Sequence, residues 1–264
     1  MPRKPSIDLE LALDVARRAA EAASRAALPH WERGVAVETK SDRTPVTQAD
    51  RDSEAAILAI VRATFPHHAI LAEESGAHAG EARTRWIVDP LDGTRGFARG
   101  GIFWGPLIAL EHEGDVVAGA IGLPALDAVY WAARGLGCFK NGSRCRVSAI
   151  SAWSESTLSL GELRRMLAMP QARAVAELIR TCASARSFGD PGAPAMVLDG
   201  RAECWLEGGV HIWDLAPFQV LIEEAGGKFT CFEGTSSIET GNAIGSNGIV
   251  HDRVLRALRA SRSS

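Results

Sequence analysis

The chain has 264 residues, of which 46% are hydrophobic, 23% charged and 6% aromatic. Those proportions exclude a disordered, collagen-like or disulfide-scaffold protein, and a chain this long buries enough surface to fold without staples. The net charge is -3, from 29 Lys+Arg against 32 Asp+Glu, with no basic stripe of the kind nucleic-acid binders carry. The longest strongly apolar run, residues 103–110, is far too short to span a bilayer. Arg3 and Lys4 resemble the start of a signal peptide, but Asp8, Glu10 and Asp14 interrupt any apolar segment behind them. The five cysteines are odd in number and include no CxxC pair. That pattern points to a reducing cytoplasm and buried thiols.

In chain order, residues 8–28 are Ala-rich with Leu9, Leu13, Ala16, Ala20, Ala23 and Ala27 at helical spacing, and Pro29 is expected to help end that helix. Residues 35–39 alternate briefly, as a strand does. A second helix should begin at Thr47, because Thr47 and Asp50 make a T-x-x-D capping box ahead of Ile57, Leu58, Ile60 and Val61. Strands follow at 69–72, 86–89, 105–110, 116–121 and 128–133, with turn signals between the later ones. This block reads as an antiparallel sheet.

After Val147 the pattern changes. Residues 162–181 look helical but are interrupted by Pro170, and 196–206 read as a helix end, a turn at Gly200 and a strand. The clearest late helix covers 213–225 and is stopped by Gly226 and Gly227. Strands at 228–232 and 243–246 and a helix over 249–260 complete the chain. Helices before, between and after two sheet regions imply a layered α/β sandwich. A soft boundary falls near residue 151. Residues 1–150 would hold the helix pair, the sheet and most candidate ligands, and 151–264 would complete the site as part of the same globular unit.

Three segments carry the candidate chemistry: LAEESG (71–76), WIVDPLDGT (86–94) and VHIWD (210–214). In the second, an apolar strand delivers Asp89 to the sheet edge, Pro90 fixes the turn, and Asp92 can point back to the same place. Gly93 and Thr94 then open a short helix whose free N–H groups face that spot, an arrangement suited to a phosphate bridged by metal ions. An Asx turn with a helix cap explains most lone D-x-D-G strings. A strand-end DPxDGT, however, arises by chance in a chain this long on the order of once in ten thousand. Glu73 alone reads as a solvated strand-end acid and Asp214 alone as a helix N-cap. If Glu73, Asp89, Asp92 and Asp214 converge, their charges require cations. All-oxygen ligands select Mg²⁺ first and Mn²⁺ second.

These residues resemble the signatures of the inositol monophosphatase superfamily of lithium-sensitive, Mg²⁺-dependent phosphomonoesterases. The resemblance extends to Lys40 with PVTQAD (45–50) and to EAGG (224–227), and so covers nearly the whole chain. It implies alternating α-β-α-β-α layers, as in inositol monophosphatase and fructose bisphosphatase, and a homodimer. Finer features look like the histidinol-phosphate phosphatase branch: RGFARG (95–100) with Trp104, RSFGD (186–190) and GNAIGSNG (241–248). Two features depart from it. Asp190 is followed by Pro191-Gly192-Ala193-Pro194, where that branch carries aromatic or small polar residues. EGGVHIWD (207–214) reads like the inositol-phosphate enzymes, whose matching Glu contacts substrate hydroxyls.

The resemblance implies one ion on Glu73, Asp89 and the Leu91 carbonyl, a second on Asp89, Asp92 and Asp214, and a weakly held third near Glu73. One ion would acidify a water and its partner steady the leaving alkoxide. Thr94, paired with Asp50 and near Glu73, would orient or deprotonate that water, and the Gly93 and Thr94 N–H groups would hold phosphate oxygens. Histidinol phosphate ranks first as substrate, with Asp190 and Glu207 as candidate readers of its ammonium. Inositol monophosphate ranks second. A 3′-phosphoadenosine nucleotide ranks third, because Arg186 alone offers itself in the late half for a second phosphate. A catalytically silent metal- or nucleotide-binding regulator would show a lost ligand or lack the Thr after Asp92-Gly93, and neither is missing. His211 could line the pocket or merely pack, and Trp31, Trp153 and Trp205 read as packing residues.

Overall fold

The computed structural model of the chain describes residues 7–34, 38–39 and 45–260. Arg3, Lys4, Lys40 and residues 35–37 of the expected strand lie outside them. The first helix, α1 (Leu9–Arg33), runs past Pro29, contrary to expectation, and is stopped by Gly34 at φ 75°. The end beyond the proline is anchored by tertiary contacts. Trp31 Nε1 donates to the Gly101 carbonyl at 2.8 Å and its ring lies 6.1 Å from that of Trp104. Two short strands, β1 (Glu38–Thr39) and β2 (Pro45–Val46), pair antiparallel and lead into α2 (Gln48–Thr64). Thr47 caps α2 in the expected capping box with Asp50.

The main sheet then forms from β3 (His68–Ala72), β4 (Gly76–His78), β5 (Glu81–Asp92), β6 (Gly105–His112), β7 (Asp115–Leu123), β8 (Ala128–Ala133), β9 (Gly137–Lys140) and β10 (Ser143–Arg144). A short helix, α3 (Thr94–Phe97), follows β5, and a 3₁₀ turn (Pro124–Leu126) separates β7 from β8. The strand order is β10-β9-β8-β7-β6-β5-β3-β4. Every pairing is antiparallel except one: β3 and β5 run parallel, with Leu71 opposite Ile87 and Ala72 opposite Val88. The expectation of a wholly antiparallel sheet fails here because β4 pairs on the far side of β3, so the chain re-enters as β5 in the same direction. This one parallel pair carries the end of β3, with Glu73 after it, and the end of β5 to the same edge of the sheet.

The second sheet is built from β11 (Thr157–Leu160), β12 (Ser184–Ser187), β13 (Cys204–Gly208), β14 (Lys228–Thr230) and β15 (Asn242–Ser246), in the order β12-β11-β13-β15-β14. Between its strands lie α4 (Leu163–Ala168), α5 (Ala172–Thr181), α6 (Gly192–Leu198) and α7 (Ile212–Glu224), and α8 (His251–Ala260) follows the last strand. The alanines of α1, with Ile57 and Val61 of α2, pack on one face of the first sheet against Trp86, Val88 and Ile108. Leu215, Phe218, Leu221 and Ile222 of α7 share a core with Val197 and Leu198 of α6, filling the space between the two sheets. Val175 and Leu178 of α5, with Val254 and Leu258 of α8, cover the outer face of the second sheet. The layers are therefore α-β-α-β-α, and α7 places Asp214 between the sheets. No helix among the described residues is long and apolar enough to cross a membrane.

Candidate active site

Glu73 follows β3 directly, and its N–H donates to the Val88 carbonyl at 3.0 Å, which continues the parallel pairing into the turn. Beside it, β5 carries Asp89, whose Oδ1 accepts from the Leu91 N–H at 2.9 Å. That contact is the Asx turn expected of D-P-x-D. The register between β5 and β6 breaks between Asp89 and Asp92, and Asp92 is thereby turned toward the same space. From the middle layer, Asp214 enters through the first turn of α7, where its Oδ2 accepts from the His211 N–H at 2.7 Å. Asp214 is thus both a helix-capping residue and a site residue. Ligand atoms of Asp89, Asp92 and Asp214 all lie within 4.8 Å of one another.

These three acids open into a cavity of about 430 Å³ whose walls include Glu73, Leu91, Gly93, Thr94, Asp190 and Glu207. Gly93 has φ +85°, and a Cβ there would meet the Phe103 carbonyl at 2.8 Å and the Asp190 carboxylate at 3.0 Å. Only glycine suits that position. Thr94 begins α3, and its hydroxyl lies 3.1 Å from both Asp50 Oδ1 and the Leu91 carbonyl. The other oxygen of Asp50 accepts from the Thr47 N–H at 2.7 Å and the Thr47 hydroxyl at 2.6 Å. The helix cap at Thr47 therefore also fixes the partner of Thr94.

Burial first, and crowding of carboxylates second, set the electrostatics. Burial, then the charges of Glu73, Asp92 and Asp214, pushes Asp89 well above the usual carboxylate range, and the Leu91 N–H opposes this. Asp92 is raised well above it by burial and by Asp190, Asp214, Glu207 and Glu73. Burial is also the first cause for Asp190 and Asp214, each pushed up to about 6, and for Glu207, pushed up to about 8. Such a cluster favours bound cations, and its donors are all oxygen, the chemistry of a hard divalent ion. The residues present fit Mg²⁺.

Of the residues singled out from the sequence, Glu73, Asp89, Leu91, Asp92, Gly93, Thr94, Asp190, Glu207 and Asp214 line one cavity. Asp50 stands behind Thr94. Arg186 does not join them: it is exposed on β12, the outer strand of the second sheet, and its Nη1 donates to the Ala185 carbonyl at 2.8 Å. His211 lines the cavity and stacks 5.0 Å from Trp213. Trp205 is buried and also forms cavity wall, edge-on to Phe218 at 5.3 Å. The sequence reading missed Glu162, Arg164 and Arg165, which line the mouth. Arg165 Nη1 donates to the Gly209 carbonyl at 3.1 Å, tying α4 to the loop between Glu207 and Asp214. In sequence these three read as ordinary charges opening a helix.

A layered α/β sandwich with carboxylates gathered at parallel strand ends, beside a glycine-opened helix, defines a metal-dependent phosphomonoesterase. The chain belongs to the inositol monophosphatase family, whose sequence model matches residues 8–263. Enzymes of this family are Mg²⁺-dependent. The chain is 39% identical over 238 residues to the histidinol-phosphatase of Chlorobaculum parvum, covering 90% of each chain. It is 33% identical over 225 residues to the inositol-1-monophosphatase of Mesorhizobium japonicum, covering 83% of this chain and 84% of the other. The solved inositol monophosphatase of Anabaena superposes with a TM-score of 0.85 at 34% identity, covering 96% of this chain and 97% of that one.

Proposed function

We propose that this phosphomonoesterase hydrolyses L-histidinol phosphate to L-histidinol and phosphate, in histidine biosynthesis. The observation that carries the reading is the position of Asp190 and Glu207 in the same cavity as Asp89, Asp92 and Asp214. Histidinol phosphate presents an ammonium and an imidazole beside its phosphate, and carboxylates beyond the ligand cluster are the natural partners of a cation. The higher identity to the histidinol-phosphatase than to the inositol-1-monophosphatase supports it.

Asp89, Asp92 and Asp214, with Glu73 and the Leu91 carbonyl, would hold two Mg²⁺ ions and a weaker third near Glu73, with Mn²⁺ as a substitute. When bound, the ions supply Lewis-acid activation of a water and neutralise charge on the leaving oxygen. The chain's own groups do the rest. The Gly93 and Thr94 N–H groups hold phosphate oxygens. The Thr94 hydroxyl orients the attacking water and passes its proton toward Asp50, which Thr47 keeps in place.

One feature favours a second reading, an inositol-1-monophosphatase or related sugar or nucleotide phosphatase. Glu207 is held by the N–H groups of Gly208 at 3.1 Å and Glu162 at 3.3 Å, a fixed acceptor that also suits a polyol hydroxyl. Phosphate release from histidinol phosphate, inositol 1-phosphate and a 3′-phosphoadenosine nucleotide, each with Mg²⁺, tests the reading. A larger kcat/KM for either of the last two overturns it. The odd cysteine count without a CxxC pair is our reason to place the enzyme in the cytoplasm. Light scattering tests the homodimer that the family resemblance implies.

A further inference from the structure

Two of the five cysteines face each other across the tight hairpin at the edge of the first sheet. Asn141 and Gly142 join β9 to β10 with φ 49° and 83°, the paired positive angles of a type I′ turn, whose twist matches that of the flanking strands. The turn sets the register: Ser143 pairs with Lys140 and Arg144 with Phe139. One step further the Cys145 N–H donates to the Cys138 carbonyl at 2.8 Å. Cys138 and Cys145 are therefore directly opposed. Cα atoms of such a hydrogen-bonded pair stand about 5.5 Å apart, in the middle of the range a disulfide spans. Both side chains enter one core with Tyr130 and Ala132, and each thiol shifts the proton affinity of the other, Cys138 upward and Cys145 downward. The other cysteines have different partners: Cys182 bonds the Ile179 and Ser184 carbonyls, Cys204 the Trp205 carbonyl, and Cys231 the Thr235 hydroxyl.

We propose that Cys138 and Cys145 form a reversible thiol–disulfide site, oxidised by low-molecular-weight disulfides. Cys145 is the entry point, since it retains 6% exposure beside the edge strand whereas Cys138 has none. The Cys138 thiol, with the Lys140 ammonium nearby, favours the Cys145 thiolate, against burial and the charge of Asp199. That thiolate attacks one sulfur of the disulfide RSSR; the RS–SR bond breaks, RS⁻ leaves, and a mixed disulfide stands on Cys145. Cys138 then gives up its proton and its sulfur attacks Cys145, displacing the second RS⁻. The two cysteines lose two electrons and two protons, and RSSR is reduced to two RSH. Access requires the short edge strand β10 to open, a local event that few hydrogen bonds resist.

The test uses the full-length protein, folded and incubated with oxidised glutathione, then alkylated and analysed by intact mass and peptide mapping. The site predicts a species lighter by two hydrogens before alkylation and carrying two fewer alkyl groups after it, with Cys138 linked to Cys145 and dithiothreitol reversing the change. It also predicts a melting temperature higher by about 5 °C in the oxidised form. Cys145→Ser should abolish both changes and Cys182→Ser neither. A link between any other pair, a persistent glutathione adduct on Cys145, or native protein whose Cys138 and Cys145 stay reduced would overturn the proposal. Mapping of the wild-type protein decides the matter even if Cys145→Ser fails to fold.

Discussion

The hydroxyl of Thr94 lies 3.1 Å from Asp50 Oδ1, although the two residues are 44 positions apart in the chain. Thr94 opens α3 at the end of the first sheet, and Asp50 closes the capping box of α2 on the layer behind it. The contact joins a helix-capping residue to the cavity that holds the carboxylate cluster. Burial raises Asp50 from its ordinary value, while the hydrogen bonds from Thr47 and Thr94 pull the other way.

If Thr94 orients the nucleophile, Thr94→Ala should lower kcat by about 100-fold or more with little change in KM, because the contact matters chiefly in the transition state. A merely structural Thr94 would cost about 1 kcal/mol of stability and little catalysis. Steady-state kinetics and thermal melting of the same variant separate the two. A lowered melting temperature with unchanged kcat would assign Thr94 to the helix alone.

Asp89 is buried among Glu73, Asp92 and Asp214, which all raise its proton affinity. Asp89→Asn should abolish turnover at every Mg²⁺ concentration. The metal-free variant should melt at the same temperature as the metal-free parent or higher, since one of several repelling charges is gone. Activity within tenfold of the parent would contradict the assignment of Asp89 as a shared ligand.

Burial, reinforced by neighbouring carboxylates, fixes the sign of the pH dependence without metal. Asp190 and Asp214 are raised from 3.8 to about 6, and Glu207 from 4.5 to about 8. Between the unfolded and folded values the native state binds more protons than the unfolded chain. Stability in EDTA should therefore fall as pH rises from about 4 to about 8. Saturating Mg²⁺ should flatten that decline, because bound cations replace the protons. Melting curves across the window with and without Mg²⁺ measure this, and a metal-free melting temperature that climbs with pH would refute it.

Much of the site was legible because short-range rules governed it. The T-x-x-D cap, the strand-end acids and the D-P-x-D turn are local patterns, and each lies where its spacing placed it. Long-range placement was less accessible. Nothing local in β3 and β5 distinguishes a parallel from an antiparallel neighbour, because the difference depends on β4 crossing to the far side. Pro29 does not end α1, because Trp31, which holds the last turn, finds its partners Gly101 and Trp104 far along the chain, out of reach of any local signal. Arg186 stood beside the right motif, but strand alternation on an edge directs its side chain to solvent. Arg165 carried no signal, since its link to Gly209 arises only when α4 packs beside β13.

The most direct measurement of the central claim compares Asp190→Asn and Glu207→Gln on histidinol phosphate and on a small phosphate ester whose alcohol part carries no charge, such as phenyl phosphate. A hydrogen bond to a charged group contributes about 1.5–3 kcal/mol, so losing the carboxylate that reads the ammonium should cost roughly 10- to 150-fold in kcat/KM for histidinol phosphate. Phenyl phosphate hydrolysis should barely change, because the ligand cluster and the Gly93 and Thr94 N–H groups are untouched. A selective loss of histidinol phosphate activity in either variant is the result the account predicts. Equal losses on both substrates, or none on either, would contradict it.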